Sequence, residues 1–251
     1  MTNLHCERRG VGPLLVMLHG WALNLRVFDT LAAELAQHYT VLTIDLPGHG
    51  RSNANRWAAL DELLLTLPAP FVLLGWSLGG QLALQFTQRA PERVSGLVLV
   101  AATPRFLNTK NWAAGLSASV LAGFAAQLAT DYRRTVAEFL ELQVRGSAHA
   151  TQTLTELRAA LLSHGEASPD ALAVGLELLQ QNDLRAALPQ IAAPTLIIAG
   201  QYDRVTPTAA ARAMADKLPA GKLLEIRRAG HAPFLSHTAA CAAAIAALRT
   251  S

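Results

Sequence analysis

Only two cysteines occur in 251 residues, one near each end of the chain, which excludes a disulfide-stapled scaffold. Cys6 and Cys241 form no C-x-x-C motif and have no metal-ligand spacing, so both are expected to be free thiols in a reducing compartment. A single bond between them is the open alternative. Neither a metal nor an organic cofactor is expected. No apolar run reaches the length of a membrane span, and the opening "MTNLHCERRG" lacks the apolar core of a secretory signal. The expected compartment is the cytoplasm, without membrane attachment. Basic residues exceed acidic ones by only 21 to 18, with no Lys/Arg run and no aromatic residues interleaved with basic ones. Nucleic acid is therefore not expected as a partner. No internal repeat is visible, and a monomer is expected.

What the chain does have is apolar residues, 51% of the total, enough for a substantial core and too many for general disorder. They are arranged in alternating strand-like and helix-like segments. "LLVMLHG" is a strand, "VFDTLAAELAQHY" has helical spacing, and "TVLTIDLPGHGRS" is a strand running into a Gly/Pro loop. "APFVLL" and "VSGLVLVAAT" follow as strands, with a helix between them that must stop before Pro91. Continuous Val/Ile/Leu strands alternating with helices imply a parallel, doubly wound sheet covered on both faces. From about Arg105 to Leu188 strand-like runs vanish and helical periodicity takes over, broken at "RGSAHA" and "GEASPD". Alternation then resumes with "APTLIIAGQYD", "PTAAARAMADKLP", "GKLLEIRRAGHAP" and "TAACAAAIAALRT". The expected organisation is an α/β core, residues 1–104 and 189–251, with a helical cap or lid inserted as residues 105–188.

One junction stands out. "GWSLG", Gly75 to Gly79, lies between a buried strand and a helix. Small residues there also suit an ordinary tight turn. In the order strand, G-x-S-x-G, helix, however, they make a nucleophile elbow, where a strained serine projects its hydroxyl clear of the sheet. A serine hydroxyl needs a base, and the base needs an orienting acid. In an open parallel sheet such groups collect beyond the carboxyl ends of strands. Asp203 follows "PTLIIAGQY" and is either that acid or a turn-capping aspartate. His231 follows the next strand, with His237 as a rival. The order Ser77, Asp203, His231 is the one this arrangement requires. An oxyanion site needs backbone N–H groups; Leu78, directly after the serine, and Trp21, directly after "LHG", are placed to supply them. His19 is expected to satisfy backbone groups at its turn rather than to act as base. Trp76 is either pocket wall or core.

Taken together, "LHGW", "DLPGHGRS", "GWSLGG", "PTLIIAGQYD" and "GHAPF" resemble the alpha/beta-hydrolase superfamily across the whole chain. That resemblance implies the alpha/beta-hydrolase fold, a mostly parallel doubly wound sheet with an inserted helical cap. A serine nucleophile argues against the haloalkane dehalogenase and epoxide hydrolase branches. Longer stretches, including "GWSLGGQLA", "PERVSGLVLVAATP", "VLAGFAAQLATDYRRTVAEFLELQ" and "GHAPFLSHTA", resemble the esterase family that acts on the methyl ester of pimeloyl-[acyl-carrier protein] in biotin synthesis. The resemblance implies a serine carboxylesterase that needs no cofactor and whose substrate rides on acyl carrier protein. It carries over Ser77, Asp203 and His231 as catalytic residues. It also implies substrate contacts at Trp21, Leu78, Phe139, Leu140, Glu141, Leu142 and Gln143. For Phe139 and Leu142 ordinary helix packing is the alternative. Carrier-protein contacts would fall to Arg133, Arg134, Arg145 and Arg158. Between Arg105 and Arg185, however, seven basic residues face eight acidic ones, and Arg134 with Glu138 could simply be an i,i+4 pair. Two other readings stay open: a short-chain carboxylesterase or carbon–carbon bond hydrolase on the same fold, and a hydrolase-fold binding protein without catalysis.

Overall fold

The runs of Val, Ile and Leu become the parallel part of a seven-stranded sheet. A computed structural model describes residues 3–54 and 56–248; the ends of the expected core, residues 1–2 and 249–251, lie outside them. The strands are β1 (Cys6–Arg9), β2 (Leu14–Leu18), β3 (Thr40–Ile44), β4 (Phe71–Trp76), β5 (Val94–Val100), β6 (Thr195–Gly200) and β7 (Gly221–Ile226). Their order across the sheet is β1-β3-β2-β4-β5-β6-β7. All neighbours run parallel except β1, which pairs antiparallel with β3 from Cys6 opposite Ile44 to Arg9 opposite Val41. The sequence pattern misses β1, because its "CERR" is a half-exposed edge with no apolar run.

Register brings the ends of the central strands level. Leu18 lies opposite both Ile44 and Gly75, and Gly75 lies opposite Leu99. The loops after β2, β4, β6 and β7 therefore open on one edge of the sheet, as expected for parallel α/β proteins. Side chains alternate between two cores. Leu15, Met17, Val72, Leu74 and Ile198 face one layer, with α1 (Asp29–Leu35) and the closing helix. Val16, Leu18, Leu73, Leu99 and Ile197 face the other, with α2 (Ala58–Thr66) and α3 (Leu78–Arg89). Helix α2 is a second element the sequence pattern did not foresee.

After β5 the chain leaves the sheet, and it returns alongside itself. Arg105 and Asp183 face each other as an antiparallel bridge, joined by an ion pair at 2.6 Å. Between them lie four helices, α4 (Ala118–Thr130), α5 (Tyr132–Val144), α6 (Ala150–His164) and α7 (Pro169–Gln181). The run expected as one helix through "LATDYRR" is two. Asp131 ends α4, and its carboxylate caps α5 by accepting from the Arg134 amide at 3.1 Å. Leu121, Val136, Phe139, Leu157 and Leu172 of the insertion join the same apolar cluster as Met17 and Leu74 of the sheet. The chain closes with α8 (Thr208–Ala215), the one-turn α9 (Pro233–Ser236) and α10 (Thr238–Ala247). Among the described residues no helix is long and apolar enough to cross a membrane.

Both cysteines are free, Cys6 half-buried in β1 and Cys241 buried in α10. Burial pushes the Cys241 thiol up to about 12; burial, then the charge of Asp45, pushes Cys6 up to about 11. Because the thiolate is the reactive form, neither thiol should react with Ellman's reagent at pH 8 in the native protein. Two equivalents should react in denaturant without reductant, where a disulfide would yield none.

Candidate active site

The turn after β4 is where the sequence concentrates its small residues, and the backbone there is strained. Ser77 has φ 55° and ψ −116°, a left-handed conformation for a residue with a side chain. The turn fits because Gly75 and Gly79 have no side chains: a Cβ on Gly75 would lie 2.2 Å from the Gly79 carbonyl oxygen, and one on Gly79 would lie 2.3 Å from that of Leu18. The Ser77 amide donates to the Val100 carbonyl at 3.0 Å, which ties the elbow to the neighbouring strand. Its hydroxyl is thereby aimed above the sheet.

His231 meets it there. Nε2 of His231 lies 2.9 Å from Ser77 Oγ, and Nδ1 lies 2.8 Å from Asp203 Oδ2. An ionised carboxylate can only accept, so Nδ1 carries the proton and Nε2 is left to accept from the serine hydroxyl. All three side chains are buried. Asp203 combines the two alternatives its sequence left open. Oδ1 accepts from the amides of Val205 and Thr206 at 2.8 and 2.9 Å, a local turn, while Oδ2 takes the histidine. The hydroxyl of Thr206 also donates to Oδ2 at 2.7 Å. Sequence reasoning passed over Thr206, although a hydroxyl three residues after an aspartate is a common local turn pair.

His231 is held by its backbone as well as its ring. Its amide donates to the Gln143 carbonyl at the end of α5 at 2.9 Å, and its carbonyl accepts from Trp76 Nε1 at 2.8 Å. Trp76 is therefore buried support for the histidine. His237, the rival base, instead contacts Ser236 at 2.9 Å and packs edge-on against His149. His19 satisfies backbone groups as expected: Nε2 accepts from the Leu46 amide at 2.9 Å and Nδ1 donates to the Gly20 carbonyl at 2.8 Å. Burial holds its pKa below the usual range, which keeps this neutral form.

Leu78 opens α3, so its amide is among those a helix leaves without an internal acceptor. The Trp21 amide donates no hydrogen bond among the described residues. Trp21 is buried; its indole N–H donates to the Leu172 carbonyl in α7 at 2.9 Å, and its ring meets Phe139 edge-on at 5.1 Å. The run Phe139 to Gln143 does not face one site throughout. Phe139, Leu140 and Gln143 are buried and Leu142 is half-buried, but Glu141 is exposed and pairs with Arg158 at 3.1 Å. Five consecutive helical residues cannot share a face, and Glu141 is the one of the run that lies on the surface. The Gln143 amide is buried with neither polar atom bonded, a group available to a ligand.

A pocket of about 80 Å³ lies between α5, α6 and the turn after β2, with Ala22, Val136, Leu140, Leu161 and Leu172 as apolar walls and Arg133, Arg158 and Glu166 as charged ones; Ser77, Asp203 and His231 do not line it. Three of the four candidate arginines already have carboxylate partners: Arg133 with Glu166 at 3.3 Å, Arg134 with Glu138 at 2.9 Å, and Arg158 with Glu141. Arg145 is exposed and has no ion pair among the described residues. One trio, His5, Glu7 and His164, brings donor atoms as close as a metal site requires. Arg26 already sits there, donating to His164 Nε2 at 2.8 Å and pairing with Glu7, so its guanidinium supplies the positive charge.

With this geometry in hand, the relatives can be read. The family model for the alpha/beta hydrolase fold matches residues 13–238. The chain belongs to the alpha/beta-hydrolase family. It is 45% identical over 238 residues to the pimeloyl-[acyl-carrier protein] methyl ester esterase of Xanthomonas oryzae pv. oryzae (strain MAFF 311018), covering 93% of this chain and 94% of that one. It is 43% identical to the protein of the same name from Nitrosomonas europaea, covering 94% and 95%. Among solved structures, an esterase from Exiguobacterium antarcticum superimposes with a TM-score of 0.89 at 24% identity, over 99% of this chain and 96% of that one, a likeness of fold.

The support that Trp76 gives His231 is measurable. Trp76→Phe should leave the buried His231 carbonyl unpaired and lower unfolding free energy in urea by about 1–3 kcal/mol.

Proposed function

We propose that Ser77, His231 and Asp203 are the catalytic triad of a carboxylic ester hydrolase, with the Trp21 and Leu78 amides as its oxyanion donors. The observation that carries this reading is the unbroken line of contacts, 2.9 Å from serine to imidazole and 2.8 Å from imidazole to carboxylate. His231 takes the hydroxyl proton as Ser77 attacks the ester carbonyl. The developing oxyanion is met by the two amides, and the alcohol leaves with the proton from the imidazolium. Water, deprotonated by the same histidine, then attacks the acyl-serine and releases the acid with Ser77 restored. A binding protein has no chemical need for this alignment.

The substrate we propose is the methyl ester of pimeloyl-[acyl-carrier protein], hydrolysed in the cytoplasm to methanol and the free acid. The names of the relatives at 43–45% identity support it. Residues 105–188 act as the cap over the site, and the acidic carrier docks on it near Arg133, Arg134, Arg145 and Arg158. Because three of these arginines are already paired, docking exchanges one carboxylate partner for another and serves orientation more than affinity. One chain holds every group of the site, so a monomer suffices, and two free thiols suit a reducing compartment.

Ser77→Ala should abolish labelling by a fluorophosphonate and reduce ester hydrolysis by on the order of 10³-fold or more. Wild-type protein should prefer pimeloyl methyl ester on its carrier to free p-nitrophenyl acetate or butyrate. Preference for the free short esters, with no gain from the carrier, would retain the triad and overturn the substrate.

A further inference from the structure

Glycine is a poor residue for the middle of a helix, yet α7 carries Gly175 there, buried. What lies against it explains its missing side chain. A Cβ at Gly175 would fall 2.7 Å from Trp21 Cδ1 and 3.2 Å from Trp21 Nε1, with Leu78 Cδ2 next at 3.4 Å. The helix thus rests on the two residues whose amides are assigned above to the oxyanion. The indole has little freedom to move away. It donates to the carbonyl of Leu172, one turn earlier in the same helix, at 2.9 Å, and the Phe139 ring packs edge-on against it at 5.1 Å. The turn that carries it is strained as well, with Ala22 at φ 66°.

We propose that Gly175 is a positioning residue for the oxyanion site: the space it leaves lets α7 seat the Trp21 indole, and through it the Trp21 amide. The proposal rests on the triad reading and on the role given to that amide. It makes the insertion part of the catalytic geometry, because one oxyanion donor belongs to the core but is set in place by α7. A methyl group at 175 must push the indole, and the amide attached to the same residue turns with it. Transition-state donors lose their value over small displacements. The loss should therefore fall on kcat, since the amide acts on charge that develops only in the transition state.

The test compares wild type, Gly175→Ala, Trp21→Ala, the double variant and Ser77→Ala, using p-nitrophenyl acetate kinetics and urea unfolding. Gly175→Ala should lower kcat by about tenfold or more, part of the 10²–10³-fold typical of losing an oxyanion donor, with KM within about twofold. Trp21→Ala removes Cδ1 and Nε1, the atoms a new methyl group at 175 would meet. In the Trp21→Ala background, adding Gly175→Ala should then change kcat by less than about threefold. Full kcat in Gly175→Ala, a change confined to KM, or equal losses in both backgrounds would overturn the proposal. If Gly175→Ala alone does not fold, the double variant must fold and match Trp21→Ala, and failure to do so overturns it equally. Activity surviving in Ser77→Ala would instead remove the triad reading itself, whereas an inactive Ser77→Ala beside a fully active Gly175→Ala sinks only the role of Gly175.

Discussion

The backbone of Ser77 sits where a residue with a Cβ pays roughly 1–3 kcal/mol, and the site is organised around keeping it there. The strain is held by close packing. Gly75 and Gly79 let two stretches of main chain approach to distances no side chain would permit, and the amide bond to Val100 fixes the turn against β5. In return the hydroxyl stands clear of the sheet on an unmoving support. A relaxed turn would lay the same side chain along the sheet, away from the histidine.

The other two groups are held as firmly, each by more than one element. Asp203 uses one oxygen for its own turn and the other for His231, so the carboxylate is oriented before the imidazole arrives. His231 is gripped at its amide by α5 of the insertion, at its carbonyl by Trp76 of the elbow, and at its ring by Asp203. The helical insertion is tied to these groups directly. It touches the histidine loop through the Gln143 carbonyl and the turn after β2 through Leu172 and Gly175. Farther out, His164 of α6 reaches the buried Asp45 behind β3 at 3.3 Å, a third tie between insertion and sheet.

Much of this was legible in the chain. The six apolar strands, the helical block between β5 and β6, the G-x-S-x-G elbow and the order of Ser77, Asp203 and His231 all show in local pattern. The omissions have physical causes. Strand β1 is a short half-polar edge, stabilised by its ladder to β3 and not by apolar burial of its own. The break at Asp131 was hidden because good helix formers flank it, and only the cap geometry reveals a new start. Glu141 was counted with its neighbours, although helical rotation turns it to the surface. Thr206 is a local partner of Asp203 that was overlooked, whereas Gly175 lies against Trp21, a nearness the linear order does not display.

The sequence by itself determined the six parallel strands and the candidate serine, aspartate and histidine, because hydrophobic period and turn chemistry are local and each apolar strand announces its own end. Only the tertiary structure decided which histidine meets the serine, which oxygen of Asp203 serves it, and that Arg133 is already paired with Glu166. Those outcomes depend on contacts across 25 to 154 residues of chain, as between Thr206 and His231 or His231 and Ser77. Such distances are set by packing, and packing is a property of the whole fold.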